Sequence, residues 1–293
     1  MKVNILPGKY ILAVSGGVDS MTLLDLLAKQ KDLELVVAHF NHGIRVSSGH
    51  DEDFVRHKAK SYNLAFEPGH GNLGPLASET SARRARYNFL KLILEKHKAD
   101  AIITAHHQDD LIETALINTL RGTGPKGLIA IASNKGVLRP LLPYSKREIL
   151  AYAKQQNLDW VEDETNEDTR YLRNYIRNQL MPKMNQAERK EILAQIEKVA
   201  ATHQKIESVI AKISQKVLID EKTMNRSSFI SLPSEVANNL LLSWLNQLKI
   251  RDIDRKTIIR LSIALKTGAA GSQHKIKNGS YLKLTKKEAY FTP

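Results

Sequence analysis

Cysteine is absent from all 293 residues, which excludes disulfides, thiolate metal sites, iron–sulfur clusters and sulfur transfer through a protein thiol. Long apolar runs are missing too: no stretch approaches the roughly 18 residues of a spanning helix. The opening segment MKVNILPGKYILAVSGG runs into a strand without a cleavable apolar region. These absences predict a cytoplasmic protein with no membrane contact. What remains, 42% apolar and 26% charged residues, is an ordinary globular composition in a chain long enough for two domains.

Negative charge is the scarcer sign. The net charge of +13 points to a polyanionic partner, because clustered Lys and Arg gain affinity by releasing counterions from phosphates. Residues 1–177 carry 24 Lys and Arg against 21 Asp and Glu, whereas residues 178–293 carry 20 against 10. The second half reads as a polyanion-binding appendage on a nearly balanced first half, although surplus lysine also serves solubility.

Through about residue 160, short apolar runs alternate with amphipathic stretches, which predicts an α/β fold with a doubly wound, mostly parallel sheet. Strands are expected at Tyr10 to Val14, Leu35 to Phe40, Leu64 to Glu67 and Ala101 to Ala105, and helices at Ser20 to Gln30, Glu52 to Tyr62, Ser81 to His97 and His107 to Leu120. The polar stretch Glu162 to Arg170 reads as a long loop. Ile192, Ile196, Val199, His203, Ile206, Ile210, Ile213 and Val217 then recur at steps of three and four. That pattern suits a coiled-coil homodimer or a helix joining two domains; the shortness of the run favours the connector. Two further helices, Leu232 to Leu248 and Lys256 to Leu265, precede a hairpin signalled by Asn278-Gly279. The predicted division is a catalytic domain over 1–182, a connecting helix over 183–217, and a smaller, mainly helical, basic domain over 218–293 that ends in a β-hairpin or meander.

The central motif is Ser15-Gly16-Gly17-Val18-Asp19-Ser20, between the strand YILAV and a helix. Two glycines let the backbone turn tightly and offer N–H groups, two serines add hydroxyls, and the helix adds its positive end, so an oxyanion belongs there. The spelling lacks the Gly-Lys-Ser/Thr ending of a Walker A nest and matches the PP-loop pattern S-G-G-x-D-S, which grips the pyrophosphate portion of ATP. Asp19 either holds Mg2+ or stabilises the helix start. Gly122, Gly124 and Gly127 spell G-x-G-x-x-G, but they follow a helix and are expected to form only a loop.

A second constellation, His106-His107-Gln108-Asp109-Asp110 with Glu113, starts a helix and gathers carboxylates that can bind Mg2+ or an ammonium, or accept a proton. Zinc is disfavoured, since adjacent histidines at a helix start diverge. Arg83 and Arg86 open a third helix, His39 and Asn41 end the second strand beside the PP-loop, and Arg173, Asn174 and Arg177 form a candidate nucleic-acid clamp.

Taken in order, SGGVDS, HFNHGIR, the E-x-x-A-R-x-x-R-Y of residues 79–87, TAHHQDDLIETALINTLRGTGPKGL, RPLL at 139–142 and D-x-T-N-x-D followed by R-N-x-I-R resemble the tRNA(Ile)-lysidine synthase family of PP-loop ATP pyrophosphatases. They span residues 15–182; the rest is more loosely similar to the family's appended domain. The resemblance implies an adenine-nucleotide α-hydrolase-like fold and the substrates ATP with Mg2+, L-lysine and an isoleucine tRNA with a CAU anticodon. It implies that a cytosine O2 at the first anticodon position is adenylated and that lysine then displaces AMP. Lysine arrives as an ammonium of pKa about 10.4, so a carboxylate must hold it and a base must deprotonate it. Asp110 and Glu113 are assigned these tasks, with His106 orienting and Arg86 assisting. Asp19 and Asp109 are assigned to Mg2+, His39, Asn41 and Arg83 to the substrate pocket, and Arg173, Asn174 and Arg177 to the tRNA. Rival readings are a tRNA thiolation enzyme, which the missing cysteines oppose, a small-molecule amide ligase, and an RNA-binding protein that holds ATP without splitting it.

Overall fold

The computed structural model describes residues 1–43, 48–71, 74, 79–123, 125–131, 136–162, 172–250, 253–277 and 279–293. The chain divides into two compact units, Met1–Ala200 and Ala201–Pro293.

Five parallel strands build the sheet of the first unit: β1 Gly8–Ala13, β2 Leu33–Asn41, β3 Ala65–His70, β4 Ala101–Ile103 and β5 Val137–Leu138, in the order β3-β2-β1-β4-β5. Helices α1 Val18–Ala28, α2 Ser48–Ser61, α3 Glu79–His97, α4 Gln108–Leu120, α5 Pro125–Leu128 and α6 Lys146–Gln155 connect and cover them. Leu12 of β1 packs in one cluster with Leu23, Leu24 and Leu27 of α1 and Ile149 of α6, while Ile11 joins Leu90 and Ile93 of α3 in another. Both faces are thus buried, which is why these strands read as continuous apolar runs rather than alternating ones. Each fully buried leucine of α1 contributes about 1.5–3 kcal/mol.

The strand order positions the site. From β1 the chain moves outward through β2 and β3, then crosses back to β4 on the other side of β1. The loops after β1 and β4 therefore diverge at the carboxyl edge of the sheet and open a crevice.

In the first unit β5 and α6 were not anticipated. β5 is two residues long, too short to leave a pattern. α6 does carry a signal, the box Ser145-x-x-Glu148, in which the Glu148 backbone N–H donates to Ser145 Oγ and the Ser145 N–H donates to Glu148 Oε2 at 2.8 Å. The expected loop around Gly127 is also corrected: Pro125–Leu128 forms one helical turn, held by Asn118 Nδ2 donating to the Gly127 carbonyl at 2.8 Å.

Beyond α6, α7 Leu172–Tyr175 continues as a π-helical turn, Ile176–Leu180, and a 3-10 turn, Met181–Lys183. The stretch read as a long loop lies largely outside the described residues. Helix α8, Gln186–Val217, carries the long apolar stripe. Its Ile192 and Ile196 belong to clusters of the first unit with Ile112, Ala115 and Ile129, and its Ile210 and Val217 to the core of the second; Ile206 and Val209 between them are exposed.

The second unit contains β6 Thr223–Asn225, α9 Arg226–Ile230, α10 Ser234–Gln247, α11 Arg255–Thr267, β7 Gln273–Lys275, β8 Tyr281–Leu284 and β9 Glu288–Thr292. Its antiparallel sheet has the order β6-β9-β8-β7, and Trp244, Leu240, Leu261 and Leu282 fill its core. β7 and β8 are the expected hairpin: Gly279 has φ +81°, and Asn278 lies outside the described residues. Arg226 is 6% exposed and fully employed, its Nε donating to Leu265 O at 2.8 Å, Nη1 to Thr285 O at 2.9 Å and Nη2 to Gly268 O.

Candidate active site

The loop Ser15–Ser20 turns between β1 and α1. Gly16 has φ +94°, a conformation that any side chain would strain. Ser20 Oγ donates to the Gly17 carbonyl at 2.9 Å and accepts from the Ser15 N–H at 3.2 Å, which closes the turn on itself. Gly17 caps α1, and among the described residues no side chain takes the N–H groups of its first turn. Those donors and the helix dipole make an oxyanion cradle.

The cradle faces a cavity of about 450 Å³ whose wall includes Ser15, Gly17, Asp19, Ser20, His39, Asn41, Arg86, His106 and Asp110. Its size suits a nucleotide-scale ligand. Sequence reading anticipated these nine residues; of the others it named, Gly16 and Val18 complete the loop, whereas Arg83, Asp109, Glu113, Arg173, Asn174 and Arg177 are not part of this wall. His39 ties β2 to the loop, its Nδ1 donating to the Val14 carbonyl at 2.9 Å; burial pushes its pKa down, against that bond. Asn41 Oδ1 accepts from the Gly43 N–H at 2.9 Å.

Asp19 projects from the first turn of α1, where Lys146 Nζ donates to both its oxygens at 2.6 and 2.8 Å and His107 Nε2 lies 3.6 Å away. Burial pushes the Asp19 carboxyl up, but His107 and Lys146 outweigh it and hold its pKa at about 2. Lys146 begins α6, and its backbone N–H donates to Asp109 Oδ1 at 3.2 Å, while Arg189 donates to Asp109 Oδ2 at 3.0 Å. Both Asp109 oxygens are thereby engaged.

At the start of α4, Asp110 Oδ2 accepts from the His107 backbone N–H at 2.9 Å, and Oδ1 lies 3.3 Å from Arg177 Nη2. Glu113, one turn on, is only 1% exposed and is clamped by Arg173 and Arg177, the latter at 2.8 and 3.0 Å. The expected RNA clamp thus turns its guanidinium groups toward two of the site's own carboxylates. Arg173 and Arg177 meet Glu113 across a break in helical type, which residue spacing alone does not disclose.

The two histidines differ. His106 lines the cavity, its Nδ1 2.8 Å from Thr104 Oγ1; burial, reinforced by Arg139, Arg83 and Arg86 and opposed by Asp110, drops its pKa to about 3. His107 is buried between Asp19 and Asp110, which raise its pKa against the effect of burial. Sequence reading named His107 within its motif but gave it no role and did not single out Lys146, because both meet Asp19 across a long stretch of sequence.

For Mg2+, Asp19 is the carboxylate within the cradle loop; both its oxygens accept from Lys146 Nζ, so a metal held there would exchange with that ammonium, and Mg2+ characteristically needs only one or two carboxylates besides substrate phosphates. The residues therefore fit a metal that arrives with the nucleotide. Among the described residues no helix is long and apolar enough to cross a membrane.

A strand-to-helix oxyanion loop at the switch point of a parallel sheet defines an ATP-binding PP-loop protein, and residues 4–184 match the PP-loop domain family. The chain is 32% identical over 281 residues to the tRNA(Ile)-lysidine synthase of Francisella tularensis subsp. tularensis (strain WY96-3418), covering 93% of this chain and 70% of that one. The tRNA(Ile)-lysidine synthase of Thermotoga maritima is 39% identical over 190 residues, 61% of this chain and 46% of the relative. The chain belongs to the tRNA(Ile)-lysidine synthase family, a family of ligases. A solved structure, the U34-tRNA thiolase NcsA from Methanococcus maripaludis with its [4Fe-4S] cluster, matches with TM-score 0.53 and 18% identity over 67% of this chain and 73% of its own, a likeness of fold alone. This chain has no cysteine with which to hold such a cluster.

Proposed function

We propose that this chain ligates L-lysine to C2 of the cytidine at the first anticodon position of a CAU-bearing isoleucine tRNA, consuming ATP and releasing AMP and pyrophosphate in the cytoplasm. What carries the reading is the single cavity shared by the cradle Ser15–Ser20, neutral His106 and Asp110.

ATP lies with its β- and γ-phosphates on the N–H groups of the cradle and the hydroxyls of Ser15 and Ser20. Asp19 would hold Mg2+, which when bound supplies charge neutralisation on the departing pyrophosphate. Cytosine O2 attacks the α-phosphorus, the bond to pyrophosphate breaks, and an adenylated base remains. Unstacking the base is cheap in a single-stranded anticodon loop. Asp110 receives the lysine ammonium and takes a proton from it, and the ε-amine so freed attacks C2 and expels AMP.

The surroundings refine the residue roles. Glu113 supports this step through Arg177, which it shares with Asp110. His106 orients substrate as a neutral imidazole, and Arg86 offers its cation to the negative charge that develops. His39, Asn41 and Arg83 shape the pocket. Asp109 anchors Lys146 and Arg189 beside the metal position rather than binding the metal itself. Arg173, Asn174 and Arg177 contact the tRNA, the two arginines being shared between RNA and Glu113. The basic residues of 218–293 hold the tRNA body.

Protein, ATP, Mg2+, lysine and a tRNA transcript, followed by nuclease digestion and mass spectrometry, test the reading. The expected result is a lysine-bearing cytidine at the first anticodon position, dependent on all four components. ATP–pyrophosphate exchange that needs no RNA would instead indicate a small-molecule amide ligase.

A further inference from the structure

Arg139, just past β5, has no part in the scheme above. It is 9% exposed, and its Nη1 donates to the Val137 carbonyl at 3.1 Å. Its Nε and Nη2 make no hydrogen bond of full geometry among the described residues, and neither does the hydroxyl of Tyr87, which neighbours them and stabilises the guanidinium in part. The two idle donors are chemically specific: Nε–H and the neighbouring Nη2–H form the side edge of the guanidinium, the edge that grips a carboxylate through two parallel bonds.

Its neighbours add positive charge. Arg83 and Arg86 lie over the Tyr87 ring at 4.9 and 5.6 Å, and no acidic side chain pairs with Arg83 among the described residues. Burial, with Arg83 adding to it and Tyr87 opposing it, pushes the Arg139 guanidinium below its ordinary value. His106, on the cavity wall, feels Asp110 together with all three arginines. A buried cation with idle donors is unfavourable unless an anion arrives. Arg226 is a control within the same chain, equally buried but with all three nitrogens bonded.

We infer that Arg139, assisted by Arg83, forms an oxyanion subsite that takes the α-carboxylate of the amino-acid substrate while Asp110 takes its side-chain ammonium. The inference rests on the lysine reading of the preceding subsection. Asp110 and His106 share the cavity wall, and the arginines act on His106 with the opposite sign to Asp110, so the two charges of a zwitterion each find a counter-charge there.

Steady-state kinetics with lysine and with cadaverine, the same diamine without the carboxylate, test it in the wild type, Arg139→Gln and Arg83→Gln. The wild type is expected to prefer lysine in kcat/KM by on the order of 10²-fold. Arg139→Gln should raise the lysine KM by a similar factor while moving cadaverine far less, so that the preference collapses. An equal loss with both amines marks a purely structural role and overturns the subsite. A raised KM for ATP or tRNA with the lysine preference intact assigns the anion to a phosphate and overturns it as well. Should Arg139→Gln fail to fold, the half-buried Arg83→Gln carries the test, and an undiminished preference there is contradictory. A wild type that joins no lysine to tRNA overturns the proposed function together with the subsite; a wild type that does, with preference unchanged in the variants, overturns the subsite alone.

Discussion

Two buried arginines, one in each unit, set the terms for reading this molecule. Arg226 donates from every guanidinium nitrogen to backbone carbonyls that close the second unit's core, whereas Arg139, similarly buried, leaves Nε and Nη2 unused. The carboxylate side of the cavity resembles Arg226 in this respect, since Lys146, Arg189 and Arg177 each meet an acid there. Burial alone therefore does not separate structural from functional cations; satisfaction of their donors does. The first kind holds the fold, and the second awaits a ligand.

The comparison is most exposed to substitution at Arg226. Arg226→Met strands three carbonyls and should cost about 3–5 kcal/mol in denaturant unfolding of the intact chain. Arg139→Met removes one hydrogen bond and one unpaired charge, so its expected cost stays within about 1 kcal/mol. Equal losses would erase the distinction. Next comes Glu113→Gln, which takes the buried acid from the half-buried Arg173 and Arg177 while Arg177 keeps Asp110, and should cost about 1–2 kcal/mol in the same measurement.

A smaller effect concerns His106. Its folded pKa of about 3 lies below the unfolded value of 6.5, so the unfolded chain takes up the proton first and stability falls as pH drops from 6.5 toward 3. NMR of the imidazole should show the neutral form down to pH 5, and titration near 6.5 would contradict the burial and the arginine field that lower it. Because burial is the leading cause of the shift, Arg139→Met should raise this pKa only in part.

How much of this was legible beforehand follows from range in sequence. The loop Ser15–Ser20 was readable because its strand, turn and helix are contiguous, and the hairpin because Asn278-Gly279 sits between period-two runs. α6 was readable from Ser145 and Glu148. The ion pairs were not: Lys146 meets Asp19 across 127 residues, and Arg177 meets Glu113 across 64. Arg173 and Arg177 look alike as a nucleic-acid clamp or as the counterions of a buried glutamate until the fold supplies the glutamate. Arg139 carried no signal beyond its place in RPLL, since an unsatisfied donor is a property of packing.

The central claim, that the loop at the β1–α1 corner grips the diphosphate that ATP sheds, has a direct test. Phosphorus NMR of ATP turned over by the protein with Mg2+, lysine and CAU-bearing tRNA should yield AMP and pyrophosphate in equal amounts, with turnover lost in Gly16→Val. ADP and orthophosphate as the products, or undiminished turnover in that variant, would contradict it.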